Sequence, residues 1–209
     1  MYMGIVNTGY AGSFFIPTII NELGYSAAAA QVRSIPIFIV ATIVSLIVAW
    51  VTDMVRHRFA FCILGLVIAS VGYIILLCQE NLSVGPKYFA SFLITPGGFI
   101  TQPIILAWVQ NCMSGHYKRS ITAAMTVGFG NIGGIIAANV FFDSEKPRYT
   151  TGYSVSLSLL WICAAGCLIL FVGVIRENRR RNKGERDERL NWPDADNLGD
   201  DHPSFRFAT

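Results

Sequence analysis

Six long stretches of the chain are free of charged side chains and predominantly apolar. They cover residues 1–21, 34–52, 59–79, 88–117, 120–142 and 149–175, and the shortest contains 19 residues. An α-helix rises about 1.5 Å per residue, so about 20 residues cross a hydrocarbon core of roughly 30 Å. Strands of a membrane barrel would instead alternate polar and apolar side chains over about 10 residues. The pattern therefore predicts an all-α membrane protein with six transmembrane helices.

Composition indicates the same class of protein and divides the chain into two parts. Hydrophobic residues make up 53% of the 209 residues and charged residues only 14%, against roughly 25% charged residues in an average soluble domain. Sixteen of the 29 charged residues follow residue 175, so the preceding part carries too few to cover the surface of a soluble domain. This distribution excludes a disordered chain, a disulfide-rich secreted module and an ordinary cytosolic enzyme. We expect a six-span domain at 1–175 and a cytoplasmic tail at 176–209.

Lysine and arginine residues near the ends of the predicted spans indicate the orientation. Nine of them lie in the loops after the second and fourth spans and at the start of the tail, whereas four lie in the other loops. By the positive-inside rule, both termini then face the cytosol. No basic residue precedes the first span, which also contains several polar and small residues, so we expect a truncated first helix. Residues 190–209 are acidic and contain two prolines and a glycine, and we predict that this end of the tail is disordered.

Polar side chains inside the spans are the candidates to line a substrate path. The fourth span is interrupted at Thr95-Pro96-Gly97-Gly98 and again at Thr101-Gln102-Pro103. A broken helix at membrane depth is tolerated where it lines a cavity or is buried in protein. Asn7 and Tyr10 share one face of the first span, and Asn131 lies in the fifth. We predict a path lined by Asn7, Tyr10, Thr101, Gln102 and Asn131, and ordinary helix packing by the same residues remains open.

A glycine-rich segment of the fifth span, Gly128-Phe129-Gly130-Asn131-Ile132-Gly133, matches a dinucleotide-binding pattern literally. That pattern requires a strand before it and a helix after it in a soluble domain, so we reject this interpretation. Small residues four apart let two membrane helices approach closely. We predict that Gly130, Gly134 and Ala138 pack against a neighbouring helix, and that Asn131 either lines a cavity or bonds to that helix.

The chain contains no residue pattern typical of catalysis or of metal binding. Its five cysteines lie in or at the ends of spans without a C-x-x-C pair, and its three histidines show no H-x-x-x-H spacing. We expect buried cysteines, no cofactor, no metal and no enzymatic activity. The basic run Arg179–Arg181 directly follows a span, where a topology anchor is far more common than a nucleic-acid site. We therefore expect no nucleic-acid partner.

The loop after the second span, Ala49-Trp50-Val51-Thr52-Asp53-Met54-Val55-Arg56-His57-Arg58, resembles a motif of the major facilitator superfamily. That motif, G-x-x-x-D-x-x-G-R-R/K, lies in a cytoplasmic loop. Asp53 takes the acidic position and Arg56 and Arg58 take the basic ones, while Ala49 replaces the first glycine and the later glycine is absent. In the superfamily the acid lies at a helix end, where it pairs with arginines and a helix N-terminus. The resemblance implies a gating role for Asp53, Arg56 and Arg58.

Further stretches resemble the fungal anion:cation symporters of the allantoate permease group, namely residues 15–25, 115–119, 130–136, 147–149, 176–181 and 198–207. The resemblance implies the C-terminal half of a twelve-helix fold, built from two inverted three-helix repeats and embedded in the lipid bilayer of the plasma membrane. It also implies secondary active transport of small organic anions, usually coupled to protons.

The six predicted spans themselves contain no charged side chain. An anionic substrate is attracted by a cation or a helix N-terminus, and proton coupling needs a titratable group. Both must then come from a missing N-terminal half or from another transporter chain. A truncated, non-transporting membrane protein that associates with an intact transporter remains an alternative, as does a six-span homodimer.

Overall fold

Six long α-helices dominate the computed structural model, which describes residues 1–22, 26–79, 82–146, 148–191 and 198–209. The helices are α1 (Tyr2–Glu22), α2 (Ala27–Val55), α3 (Arg58–Leu77), α4 (Val84–Asn111), α5 (His116–Val140) and α6 (Thr150–Asn182). Each contains most or all of one of the charge-free stretches, because a charge is costly at membrane depth and the ends of the helices collect the charged residues. Of the stretches that carry the family resemblance, 23–25 and Pro147 lie outside the described residues.

Five of these helices, α2 to α6, are long and apolar enough to cross a membrane. The chain is therefore an integral, multi-pass membrane protein. Helix α1, of 21 residues, is not among the five found in the described part of the chain. It nevertheless packs against α2, α4, α5 and α6. Helix α1 thus has four helical neighbours.

The helix contacts have an internal symmetry. If α1 is exchanged with α4, α2 with α5 and α3 with α6, the same pairs of helices are in contact. For example, α1 packs on α5 as α4 packs on α2. Likewise, α1 packs on α6 as α4 packs on α3. Three successive helices reverse the direction of the chain, so the second group of three runs opposite to the first. This is the packing expected of two inverted three-helix repeats.

The same symmetry appears at residue level in α1 and α4. Thr8 Oγ1 donates to the Gly4 carbonyl at 3.3 Å, and Thr101 Oγ1 donates to the Gly97 carbonyl at 2.9 Å. A Cβ on Gly4 would overlap a backbone carbonyl of α6, and one on Gly97 would overlap a backbone carbonyl of α3. A Gly-x-x-x-Thr segment therefore lets α1 approach α6 closely, and another lets α4 approach α3.

Helix α5 packs on α1 through a row of small residues that differs from the predicted one. The buried members are Gly130, Gly133 and Ala137. Gly134 is partly buried beside the Tyr10 ring, but Ala138 is exposed, so the prediction for Ala138 is wrong. The interface follows steps of three and four residues, which average close to one helical turn, whereas successive steps of four rotate off the contact face.

The end of the chain is ordered where disorder was expected. Residues 198–209, which we call the C-terminal strap, fold back on the helices. Phe207 and Ala208 pack against the hydrophobic core, and Trp108 Nε1 donates to the Ala208 carbonyl at 2.8 Å. Its acidic, proline-containing composition is typical of a disordered segment. The prediction failed because composition gives no information on the hydrogen bonds that the backbone carbonyls of the strap accept from the helices. Residues 192–197, in the middle of the tail, lie outside the described residues.

Candidate substrate cavity and cytoplasmic gate

A cavity of about 220 Å³ lies among α1, α4 and α5. Its described lining comprises Tyr2, Val6, Gly9, Tyr10, Phe99, Gln102, Val127 and Asn131. Three of the five residues predicted to form a substrate path, Tyr10, Gln102 and Asn131, therefore come together, although they lie on three different helices.

The polar groups of the cavity are neutral. Gln102 Nε2 donates to the Tyr2 hydroxyl at 3.4 Å, and Gln102 Oε1 lies 3.3 Å from where a Cβ on Gly9 would stand. The absent side chain at Gly9 thus gives the Gln102 amide access to the cavity. With two amides and three aromatic rings, the described lining can donate and accept hydrogen bonds and stack against a flat solute, but it offers no formal charge.

Asn7 and Thr101 face away from this cavity, which corrects their prediction as lining residues. Asn7 is 1% exposed and its Nδ2 donates to Ser156 Oγ at 3.0 Å, which ties α1 to α6. Thr101 is fully buried and turns toward α3, where its Oγ1 lies 3.5 Å from the Cys62 carbonyl. Adjacent helix positions differ by about 100°, so a residue beside a lining residue can serve packing alone.

Tyr2, Val6 and Phe99 were not predicted from the sequence as lining residues. A signal was present in α1, because positions 2, 6, 9 and 10 recur at the spacing of one helix face. The symmetry offers a second signal. Val6 and Gly9 hold the same places relative to Thr8 that Phe99 and Gln102 hold relative to Thr101. Equivalent positions of α1 and α4 therefore line one cavity.

A second candidate site lies where α2 ends and α3 begins. Arg58 Nη2 is 3.6 Å from Asp53 Oδ1, with the Arg58 side chain 14% exposed and that of Asp53 78% exposed. Arg58 Nη1 also donates to the Ala107 carbonyl near the end of α4 at 2.8 Å. One guanidinium at the start of α3 thus contacts the ends of both α2 and α4.

Arg56 does not have the role expected of it. It is the C-terminal cap of α2, with φ 58° and its N–H donating to the Thr52 carbonyl, and its side chain is exposed. It stands three residues after Asp53, the place of the second glycine in the superfamily motif. Left-handed backbone favours glycine, so the geometry at position 56 explains why the motif has glycine at this position. Arg58, rather than Arg56, pairs with Asp53.

Glycine at position 56 is expected to stabilise the protein by about 1 kcal/mol, because an L side chain is strained in left-handed backbone. For a domain of this size that corresponds to about 2–4 °C in Tm. Thermal unfolding of detergent-solubilised protein measures the change. Arg56→Ala is the control, since it removes the charge but keeps the strain. Equal gains from alanine and glycine would show that the guanidinium, and not the backbone, is unfavourable.

Curated proteins similar to this chain are fungal transporters. The chain is 30% identical to an uncharacterised transporter of Schizosaccharomyces pombe over 95% of its length. It is 31% identical to the MFS-type transporter cnsO of Penicillium expansum, also over 95% of its length. The high-affinity nicotinic acid transporter of Saccharomyces cerevisiae is 25% identical over 98% of the chain. No family model matches the chain, and no solved structure matches it.

The match covers only part of each relative. The chain spans 39%, 40% and 38% of the lengths of these three proteins. The predicted relationship to transporters of the major facilitator type is confirmed over this part. Such transporters are not enzymes, so the prediction that the chain lacks a catalytic role is also confirmed.

Proposed function

From this relationship to transporters of the major facilitator type, we propose that the chain forms the C-terminal half of a twelve-helix secondary transporter of small organic anions. The cavity among α1, α4 and α5 is the observation that carries the proposal. Equivalent positions of two repeats meet there, its described lining is polar but uncharged, and the relatives match about two fifths of their length. A complementary half would complete both the bundle and the cavity.

The chemistry of the cavity suits the orientation of a carboxylate rather than its attraction. The amides of Gln102 and Asn131 and the hydroxyls of Tyr2 and Tyr10 can each donate a hydrogen bond to an anion. One relative carries the name of a nicotinic acid transporter, and nicotinic acid is a small carboxylic acid. The attracting charge and the group that exchanges protons would then belong to the other half.

Transport would proceed by alternating access, with the two halves rocking about the cavity. The Asp53–Arg58 pair would hold the cytoplasmic ends of α2, α3 and α4 together in one of the two states. The excess of basic residues in the loop at 53–58, the loop at 112–119 and the start of the tail supports a cytoplasmic location for this end and for both termini. The membrane in this proposal is the plasma membrane.

Removal of one cavity amide is expected to raise the KM for uptake several-fold while surface expression stays normal. A neutral hydrogen bond contributes about 0.5–1.5 kcal/mol, which sets the size of the effect. The measurement is uptake of radiolabelled nicotinic acid and other small carboxylic acids by cells that express the full-length protein with Gln102→Ala or Asn131→Ala.

Asn139→Ala is the matched control, because Asn139 lies on α5 but is exposed, and its side chain donates within the same helix to the Ile135 carbonyl. It should leave KM unchanged. If the cavity variants lose expression but the molecules that reach the membrane keep the original KM, Gln102 and Asn131 serve packing and the site assignment fails.

A further inference from the structure

The C-terminal strap is held by one buried arginine of α6. The Arg181 side chain is 2% exposed, and its Nη1 lies within 2.9–3.2 Å of the carbonyl oxygens of Asp200, His202 and Phe205. Its guanidinium carbon is 4.5 Å from the centre of the Phe207 ring. A desolvated cation with several charge-assisted hydrogen bonds is a strong local tie, and all of these contacts go to the strap.

Two further side chains fix the path of the strap across the helix ends. The Asn178 amide on α6 bonds to Phe207 twice: Nδ2 donates to the Phe207 carbonyl, and the Phe207 N–H donates to Oδ1, each at 3.0 Å. Trp108 on α4 donates to the Ala208 carbonyl. Because both side chains contact main-chain atoms, they place the backbone of the strap rather than select its sequence.

The strap also reaches α5. Lys118 Nζ lies 2.7 Å from Asp200 Oδ1. Burial alone would raise the pKa of Asp200, but the hydrogen bond and the charge of Lys118 hold that pKa below its usual value. Arg189 Nη1 bonds to Asp201 at 2.9 Å. The strap therefore joins α4, α5 and α6 at their cytoplasmic ends.

The last contact of the strap is with the Asp53–Arg58 pair and its Ala107 contact, which we call the gate. The backbone N–H of Arg58 donates to the main-chain oxygen of Thr209 at 2.7 Å. Arg58 is the first residue of α3, and the first N–H groups of a helix have no partner within the helix. The strap thus caps α3 at the residue whose side chain holds Asp53 and the Ala107 carbonyl.

We propose that the C-terminal strap is a positioning element of the cytoplasmic gate, with Arg181 as the residue that keeps it docked. The docked strap fixes the backbone of Arg58, and this holds the guanidinium between α2 and α4. Release of the strap frees the start of α3 and loosens the gate from a distance, with no change in the cavity. The gating role rests on the proposed function, whereas docking and its coupling to Arg58 do not.

Two cysteine reporters test the two ends of this coupling without transport. Cys112 is 5% exposed and lies beside the Ala208 carbonyl, so its reaction with a maleimide reports release of the strap. Thr52 is 3% exposed and lines a small cavity with Asp53 and Arg58, so Thr52→Cys reports opening of the gate. Cys78 is exposed, and Cys78→Ser removes its background. The gate reporter also carries Cys112→Ser.

The full-length protein in membranes with an accessible cytoplasmic face is labelled in four forms: unchanged, Arg181→Gln, Arg58→Gln and the double variant. Arg181→Gln should speed labelling at both positions by about tenfold or more, the factor expected when hydrogen bonds to a charged group are lost. The double variant should label at position 52 no faster than Arg58→Gln alone, because both substitutions act on one contact. Arg179→Gln, an exposed arginine two residues earlier, should change neither rate.

Faster labelling of Cys112 without faster labelling at position 52 would overturn the proposal, since the strap would then only cover α4. The proposal would also be overturned if the two substitutions together increased the labelling rate at position 52 by the product of their separate factors. If Arg181→Gln fails to reach the membrane, Asn178→Ala takes its place, because it removes two strap bonds without leaving a buried charge. Uptake is measured in parallel, and the variant that releases the strap should have a lower maximal rate with the same KM. If the unchanged protein shows no uptake but strap release still speeds labelling at position 52, only the proposed function is contradicted.

Discussion

Alanine at position 133 is expected to prevent α5 from packing on α1, so that little folded protein is recovered. A Cβ there would overlap the carbonyl oxygen of Met3 and lie 3.0 Å from the amide nitrogen of Asn7. Both are backbone atoms of a helix, which cannot move as a side-chain tip can. Overpacking of a core typically costs about 1–3 kcal/mol, and more where backbone must shift. We expect a loss at or above the upper end of that range.

Gly128→Ala is the matched control in the same helix, because nothing lies within 4 Å of the position of its Cβ. Alanine favours helix over glycine by about 1 kcal/mol, so this variant should gain stability while Gly133→Ala loses it. Fluorescence-detected size-exclusion and thermal unfolding of the solubilised protein measure both. Equal behaviour of the two variants would show that the close approach of α5 and α1 is not a feature of the folded protein.

Glutamine at position 58 is expected to lower the maximal rate of uptake by about tenfold while the protein still inserts and binds substrate. The substitution removes the charge that pairs with Asp53 and weakens the bond to the Ala107 carbonyl. Hydrogen bonds to charged groups contribute about 1.5–3 kcal/mol. Because the cavity lies elsewhere, KM should change little. Uptake kinetics in the full-length protein, corrected for surface expression, give the two constants separately.

Asp53→Asn separates the two contacts of Arg58, since it keeps the carbonyl bond and removes only the ion pair. Asp53 is largely exposed, and an exposed pair contributes about 1 kcal/mol at most. This variant should therefore impair uptake by less than Arg58→Gln. Normal kinetics in Arg58→Gln would mean that the contact among α2, α3 and α4 has no part in the transport cycle.

The helices could be located from the sequence because a charge at membrane depth is costly, and the charge-free stretches follow directly from that cost. The same reasoning identified Tyr10, Gln102 and Asn131, because a polar group at membrane depth is costly unless it faces a hydrogen-bond partner or a cavity. It could not separate them from Asn7 and Thr101, which are adjacent in sequence to lining residues but differ from them by about 100° of rotation about the helix axis. That rotation is set by the neighbouring helices, and no local pattern reports it.

Two other features depend on backbone geometry that side-chain chemistry does not reveal. Arg56 resembles a basic motif residue by its type, but its left-handed backbone is visible only in the folded chain. The C-terminal strap resembles a disordered tail by composition, yet its carbonyl groups match the donors of Arg181. The second outcome depends on partners that lie far apart in sequence.

The paired Gly-x-x-x-Thr segments of α1 and α4 bear on the energetics of the proposed transport cycle. If the two repeats were identical, exchanging their conformations would turn the outward-facing state into the inward-facing one, and the two states would have equal free energy. The resting preference must then arise where the repeats differ. At the cavity those differences include Gly9 against Gln102 and Val6 against Phe99. The residues that contact a solute would therefore also contribute to the direction in which the empty protein faces.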